Sequence, residues 1–271
     1  MHYISFKFSG CLIKAVFLVV CLHFCAGPYF ADAQILNISN ERVEKDTSDA
    51  WLGDLSFMLS LRQQGIKVAE FNWRNDIVYL SHNNAYMAIS DINVVKLDKN
   101  QLISDAYLHG RVTFQRRRIV CEEAFIQYQY DISRGLEDRV LLGGGLRIKF
   151  RHGEKLDVVF GPGVMYEKEE WRYPIDVPGA DVKAFNSFKS TTYLSVQEKF
   201  NENVNLNGVL YYQARFNDFK EPRISGEVNL NIKLSRYLAF ISRYKWLYDS
   251  EPVVPVTKLV YTFTNGITVN F

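Results

Sequence analysis

The stretch Ile224-Ser-Gly-Glu-Val-Asn-Leu-Asn-Ile-Lys-Leu234 decides the fold. Ile224, Gly226, Val228, Leu230, Ile232 and Leu234 share one face; Ser225, Glu227, Asn229, Asn231 and Lys233 share the other. Successive side chains of a strand point to opposite sides, so strict alternation predicts a strand with one apolar and one polar face.

The same period recurs outward from this segment. In 204–217, Val204, Leu206, Gly208, Leu210, Tyr212, Ala214 and Phe216 oppose Asn205, Asn207, Gln213, Arg215 and Asn217. In 106–115, Ala106, Leu108, Gly110, Val112 and Phe114 oppose Tyr107, His109, Arg111, Thr113 and Gln115. In 140–150, Val140, Leu142, Leu146, Ile148 and Phe150 oppose Arg147 and Lys149. Segments 85–97 and 184–199 alternate poorly and are placed partly by position. Turn signals between the segments give twelve strands: 51–62, 66–80, 84–97, 105–115, 119–133, 138–150, 155–169, 184–199, 204–219, 223–234, 237–249 and 256–271.

An even set of long, amphipathic strands predicts an all-β fold, a closed antiparallel transmembrane β-barrel of about 12 strands in a Gram-negative outer membrane. In lipid every backbone N–H and C=O must be paired, so a spanning sheet has to close. With the N-terminus in the periplasm, tight periplasmic turns fall near 81–83, 116–118, 151–154, 200–203 and 235–236. External loops fall at 98–104, 250–255 and 170–183, with two short connections near 63–65 and 220–222. Tyr and Trp gather toward strand ends (Trp51, Trp73, Tyr79, Tyr128, Tyr130, Tyr166, Tyr244, Trp246 and Tyr248), as interfacial girdles do.

Composition fits this reading without announcing it. The 271 residues are 48% apolar, 14% aromatic and 23% charged, with a net charge of +2. Those values exclude a disordered tail, a collagen-like fibre and a disulfide scaffold, and they give no electrostatic case for a nucleic-acid partner. Lys7 and Lys14 lead into an apolar run, Ala15 to Ala26, and Ala31-Asp32-Ala33 precedes Gln34. This is the pattern of a secretory signal peptide over 1–33, cleaved between Ala33 and Gln34. Its apolar run is too short to span a bilayer as a helix. A polar periplasmic segment is expected at 34–50 and the barrel at 51–271. Cleavage removes Cys11, Cys21 and Cys25, leaving Cys121 with no disulfide partner and no cysteine metal site.

The chain's end carries a second export signature. Leu259, Tyr261, Phe263, Ile267, Val269 and the terminal Phe271 share a face. A last strand closing on an aromatic residue resembles the signal read by the barrel-assembly machinery, which is one expected partner; outer-membrane lipid is the other. Trp51-Leu-Gly53, Tyr248-Asp249-Ser250-Glu251-Pro252, Thr257-Lys258 and Tyr261-Thr-Phe-Thr-Asn-Gly266 resemble an uncharacterised outer-membrane family known as salt-induced outer membrane proteins. The resemblance spans about 50–271 and departs from the family where Gly65 is followed by Ile66 rather than Asn. It implies location and fold, and supplies no activity, ligand or catalytic residue.

No catalytic centre emerges. Outer-membrane phospholipases resemble twelve-stranded barrels with a His and a Ser two residues apart, and none of His82, His109 or His152 has that serine. No P-loop, calcium or zinc pattern occurs, and no cofactor is expected. Gly143-Gly144-Gly145 lies mid-strand and reads as close packing or a bend, and Gly161-Pro162-Gly163 opposite it predicts a bulge. Arg116-Arg117-Arg118 reads as a solvated periplasmic turn with snorkelling side chains. The expected lumen lining is Glu70, Asn72, Arg74, Asp76, Arg111, Glu123, Gln127, Gln129, Asp131, Arg147, Lys149, Arg215, Glu227, Lys233, Arg243 and Lys245. Both charge signs occur, so two readings stand: a network that fills the barrel, or a narrow passage for small polar solutes. In the second, Arg147, Lys149, Arg215, Arg243 and Lys245 bias passage toward anions. An enzyme is not expected; the alternatives weighed are an outer-membrane lipid-active enzyme and a soluble periplasmic barrel holding a lipidic ligand.

Overall fold

The computed structural model describes residue 43 and residues 49–64, 66–97, 101–173 and 182–269. The expected signal peptide with Ala31, Ala33 and Gln34, most of the expected 34–50 segment, Gly65, residues 98–100 and 174–181, Asn270 and the terminal Phe271 lie outside the described residues.

Twelve antiparallel strands form one meander in which every strand pairs with its neighbours in sequence. They are β1 (Ala50–Gln64), β2 (Ile66–Leu80), β3 (Ala85–Leu97), β4 (Gln101–Phe114), β5 (Val120–Asp131), β6 (Leu136–Arg151), β7 (Leu156–Arg172), β8 (Val182–Asn201), β9 (Val204–Arg215), β10 (Asp218–Lys233), β11 (Leu238–Asp249) and β12 (Leu259–Val269). Among the described residues no pairing joins β12 to β1. Each strand overlaps one expected from the alternation. One end of the sheet carries the tight turns at 81–84, 115–119, 152–155, 202–203 and 234–237, and we call it the turn end. The opposite, loop end carries the 250–258 loop and a 3-10 turn at Ile132–Arg134, which closes on Gly135 at φ +80°. That left-handed conformation suits glycine, and a β-carbon there would also strike the Arg172 carbonyl.

The two faces separate as the period requires. Outward side chains include Ile126, Leu142, Phe188 and Ile267, all large, apolar and 57–69% exposed. The inward face is buried, and strands far apart in the sheet meet there. Val78 and Leu80 of β2, Met87 of β3, Tyr107 of β4, Val159 of β7, Tyr193 of β8 and Val209 and Tyr211 of β9 share one apolar cluster. The sheet therefore curls so that β2–β4 face β7–β9.

Two local expectations change. The glycines bracketing Pro162 produce no bulge: pairings with β6 step from Gly145↔Gly163 to Ile148↔Phe160 without a change of register. The ladder against β8 runs through Pro162↔Thr192 unbroken. The glycines instead make room, since a β-carbon on Gly161 would occupy the Tyr193 ring and one on Gly143 the Phe125 ring. Among several register shifts in the sheet, one does fall at a proline, though a different one. The β9–β10 register shifts between Asp218 and Arg223, around Pro222, which has no N–H to donate. The external connection expected at 220–222 is consequently strand, and the chain turns at 216–217.

Arg116 is the other correction. Only Arg117 and Arg118 of the basic run are exposed; Arg116 is buried. Its Nε donates to the Ser81 carbonyl at 3.2 Å and its Nη1 to the Val43 carbonyl at 3.1 Å. Val43, 2% exposed, joins the apolar cluster. Arg116 N–H donates to the Asn83 carbonyl, and Gln115 N–H to Asn84 Oδ1, so the two turns are bound to each other. A guanidinium removed from water needs such acceptors, and three carbons of side chain let it reach them.

Candidate functional site

The inward polar residues fall into separate groups. The first lies where β4, β5, β6 and β8 converge. Glu123 accepts from Thr113 Oγ1 at 3.0 Å and from the Tyr193 hydroxyl at 2.7 Å, and pairs with Arg111 Nη1 at 3.4 Å. Arg147, 1% exposed, reaches the Tyr193 hydroxyl at 3.5 Å. The Arg111 guanidinium lies 5.7 Å from the Phe125 ring centre and 5.6 Å from that of Tyr193, within cation–π range.

Beside this group runs a row of flat side chains. The His109 ring is 6.1 Å from that of Tyr107 and 5.9 Å from that of Phe125, near-parallel to both. The Gln127 carbonyl oxygen accepts from the Tyr107 hydroxyl and pairs with His109 Nδ1, each at 3.2 Å, while the Gln127 amide donates to Gln129. These residues line a cavity of about 930 Å³, with Tyr193 and Tyr211 on its far side. Four arginines (Arg111, Arg134, Arg139 and Arg223) line that cavity against two carboxylates, Glu123 and Asp131.

The second group is nearer the loop end and draws on six consecutive strands. Glu167 and Glu169 of β7 are fully buried. Arg139 of β6 pairs with both, its Nε 2.7 Å from Glu167 Oε1 and 2.9 Å from Glu169 Oε1. Lys189 of β8 pairs with Glu167. Arg223 of β10 sets Nη1 3.0 Å from Glu167 and 2.5 Å from Glu169, and Nη2 2.8 Å from Asp249 of β11. Gln213 of β9 accepts from Arg139, and Trp171 Nε1 donates to Glu169. Three cations thus balance three carboxylates. Buried carboxylates of this kind persist only when hydrogen-bonded and matched in charge.

At the mouth, Val254 of the 250–258 loop is buried against Leu136 and Trp171. Arg215 pairs there with Glu221 at 3.2 Å and with Glu251. The Glu251 carboxyl is held below its ordinary range by its hydrogen bond with Glu221 and then by Arg215. A second cavity, about 680 Å³, opens among Arg215, Glu251, Lys183 and Phe185.

The residues expected to line the lumen are distributed unevenly over this interior. Arg111, Glu123, Gln127, Gln129 and Arg147 come together in the first group. Glu227, Arg243 and Lys245 form a looser one: Arg243 Nε donates to Asn229 at 2.7 Å and lies 3.6 Å from Glu227, with Lys245 at 3.9 Å. On β2, Glu70 pairs with Arg62, Arg74 with Asp91 at 2.7 Å, Asn72 hydrogen-bonds Asn93, and Asp76 sits opposite Asp54. Asp131 caps the 3-10 turn, and Lys149 donates to the Arg116 carbonyl, so each is bound to its local turn. Lys233 is exposed at the turn end. The basic residues Arg147, Lys149, Arg215, Arg243 and Lys245 therefore do not form one cluster; each has its own partners.

Sequence reasoning missed the Arg139, Glu167, Glu169, Lys189, Arg223 and Asp249 network. Inward parity would have placed all six, but they sit toward strand ends, where polar residues read as approaching loop. Among the described residues no group of His, Cys, Asp and Glu is arranged to hold a metal ion.

A family profile described as "Protein of unknown function, DUF481" matches residues 102–271. No curated protein matches the chain. Among solved structures, the NanC porin in a rhombohedral crystal form is similar at 11% identity and a TM-score of 0.42, over 79% of this chain and 100% of that one.

Proposed function

Since the chain belongs to this family of unknown function, DUF481, its role has to be read from its own residues, and we propose an outer-membrane β-barrel whose interior is a narrow, anion-favouring passage for small polar solutes. The observation that carries the membrane reading is the inversion of the two faces. Large apolar side chains such as Leu142 and Phe188 stand exposed on the outside, while Glu167 and Glu169 are wholly buried on the inside. Water rewards the opposite arrangement; a hydrocarbon surround rewards this one. In such a surround β12 pairs with β1, because an unpaired edge in lipid costs several kcal/mol per polar group. Export by the 1–33 signal peptide and assembly through the C-terminal strand complete the reading.

The interior supports constricted rather than open passage. The balanced network at the loop end and Val254 at the mouth narrow the bore, and Arg111 and Arg147, sharing the one carboxylate of Glu123 beside the first cavity, set its sign. Two measurements test this. The protein is expected in the outer-membrane fraction with heat-modifiable gel mobility; recovery as a soluble periplasmic protein overturns the membrane reading. In planar bilayers the folded protein is expected to pass a small, anion-selective current. Electrical silence of a folded sample would replace passage with the filled, structural barrel that the Glu167–Glu169 network favours.

A further inference from the structure

We infer that the cavity beside β4 and β5 is a binding site for a small hydroxylated organic carboxylate with a flat body. This deepens the reading of the interior as a passage and rests on it for biological meaning, but not for its chemistry.

Three buried polar atoms of the lining have no partner in the protein, and two of them define the ligand; the third is the Tyr211 hydroxyl, which can donate or accept. His109 is 5% exposed, and its Nε2 has no hydrogen-bonding partner in the protein; the same holds for Nε of Arg111, one inward position further along β4. Leaving a buried polar group unmatched costs about 1–3 kcal/mol, so two within one cavity wall call for a ligand that matches both. They are of opposite kinds. The Arg111 Nε–H can only donate. The His109 Nδ1 faces the Gln127 carbonyl oxygen at 3.2 Å and donates to it, which leaves Nε2 as the lone-pair nitrogen of the neutral ring. The site therefore presents a cationic donor and a neutral acceptor. A carboxylate satisfies the first, and a hydroxyl hydrogen satisfies the second.

The rest of the wall agrees. Tyr107, Phe125, Tyr193 and Tyr211 also line the space, and a wall rich in aromatic rings favours a flat body. Glu123 is already engaged by Thr113, Arg111 and Tyr193 and also faces Arg147, so two guanidiniums share one carboxylate beside the space.

The test uses the full folded chain in detergent micelles and isothermal titration with three probes: 4-hydroxybenzoate, benzoate and 4-hydroxybenzamide. The first is expected to bind saturably at one per chain, with each of the others about tenfold weaker, as expected for one hydrogen bond or charge lost. The variant His109→Phe keeps the ring row and removes Nε2, so it is expected to bind 4-hydroxybenzoate and benzoate alike. An unchanged preference in His109→Phe, or no saturation by 4-hydroxybenzoate at about 10 mM, overturns the site. Should the variant fail to fold, the nitrogen NMR resonance of His109 Nε2 in the unmodified protein decides. It is expected to move with 4-hydroxybenzoate and stay in place with benzoate, and no movement with either overturns the site. Micelles require no membrane passage, so the two readings fail separately. Saturable binding without bilayer current removes the passage and keeps the site; current without binding does the reverse.

Discussion

Tyr193 of β8 donates its hydroxyl to Glu123 of β5 at 2.7 Å, across an interior that separates strands three places apart in the sheet. The bond ties the curl of the sheet to a buried charge. Tyr193→Phe removes the donor and leaves Glu123 with Thr113 and Arg111. We expect a loss of about 1–3 kcal/mol, the cost of leaving a buried carboxylate short of one hydrogen bond, read as a lower unfolding temperature in a heat-modifiability gel series.

Arg223→Met strikes the second network. Arg223 touches Glu167, Glu169 and Asp249, and without it three carboxylates face only Arg139 and Lys189. Breaking a buried ion network on one side costs about 3–5 kcal/mol, so this variant is expected to be destabilised more than Tyr193→Phe in the same gel series. Equal stability of Arg223→Met and the unmodified protein would mean that water reaches these carboxylates.

Leu142→Arg probes the outer face. Leu142 is 60% exposed near the middle of β6. At the midplane of a membrane barrel a lipid-facing arginine costs about 2–4 kcal/mol, whereas on a water-facing surface it costs nearly nothing. Refolding into lipid vesicles followed by denaturant titration separates the two.

Cys121 offers a label-based check of the turn end. Its thiol is 1% exposed and points at the Gln115 and Arg118 carbonyls. A maleimide is expected to leave the folded protein unmodified and to react fully once it is unfolded, since access limits the thiolate. Rapid labelling of folded protein would show that the 115–119 turn opens.

The alternation made the strand count legible because outward-facing and interior-facing positions differ in kind along most strands. It blurred in β8, where Ser190 and Thr192 stand on the outward face among Phe188 and Leu194. Ser190 Oγ donates to the Ala214 carbonyl of the neighbouring strand, so a hydroxyl is satisfied on an otherwise apolar face. Hydropathy alone reads that as noise. The interior was harder for a different reason. Parity along a strand says which residues point inward, but Arg139, Glu167, Lys189, Arg223 and Asp249 meet only through the curl and tilt of six strands. Arg111 and Glu123 were recognised as inward, and their meeting with Tyr193, far off in sequence, was not. Arg116 was misread because a run of three like charges suggests solvent, and no local pattern announces that one of them will clasp the carbonyl of Val43.

The glycines of β6 and β7 set a rule for how this interior can change. At Gly143 and Gly161 the rings of Phe125 and Tyr193 rest directly on main chain, so on that side the bore is bounded by hydrogen-bonded backbone. Side chains can swing between rotamers in nanoseconds; a paired ladder cannot move without breaking its rungs. Adjustment of the bore therefore has to come from side chains that do not rest on bare backbone, such as Val254, carried by the 250–258 loop onto Leu136 and Trp171 at the end of the same two strands. Along β6 and β7 the interior thus passes from a wall of main chain to a plug held by a loop.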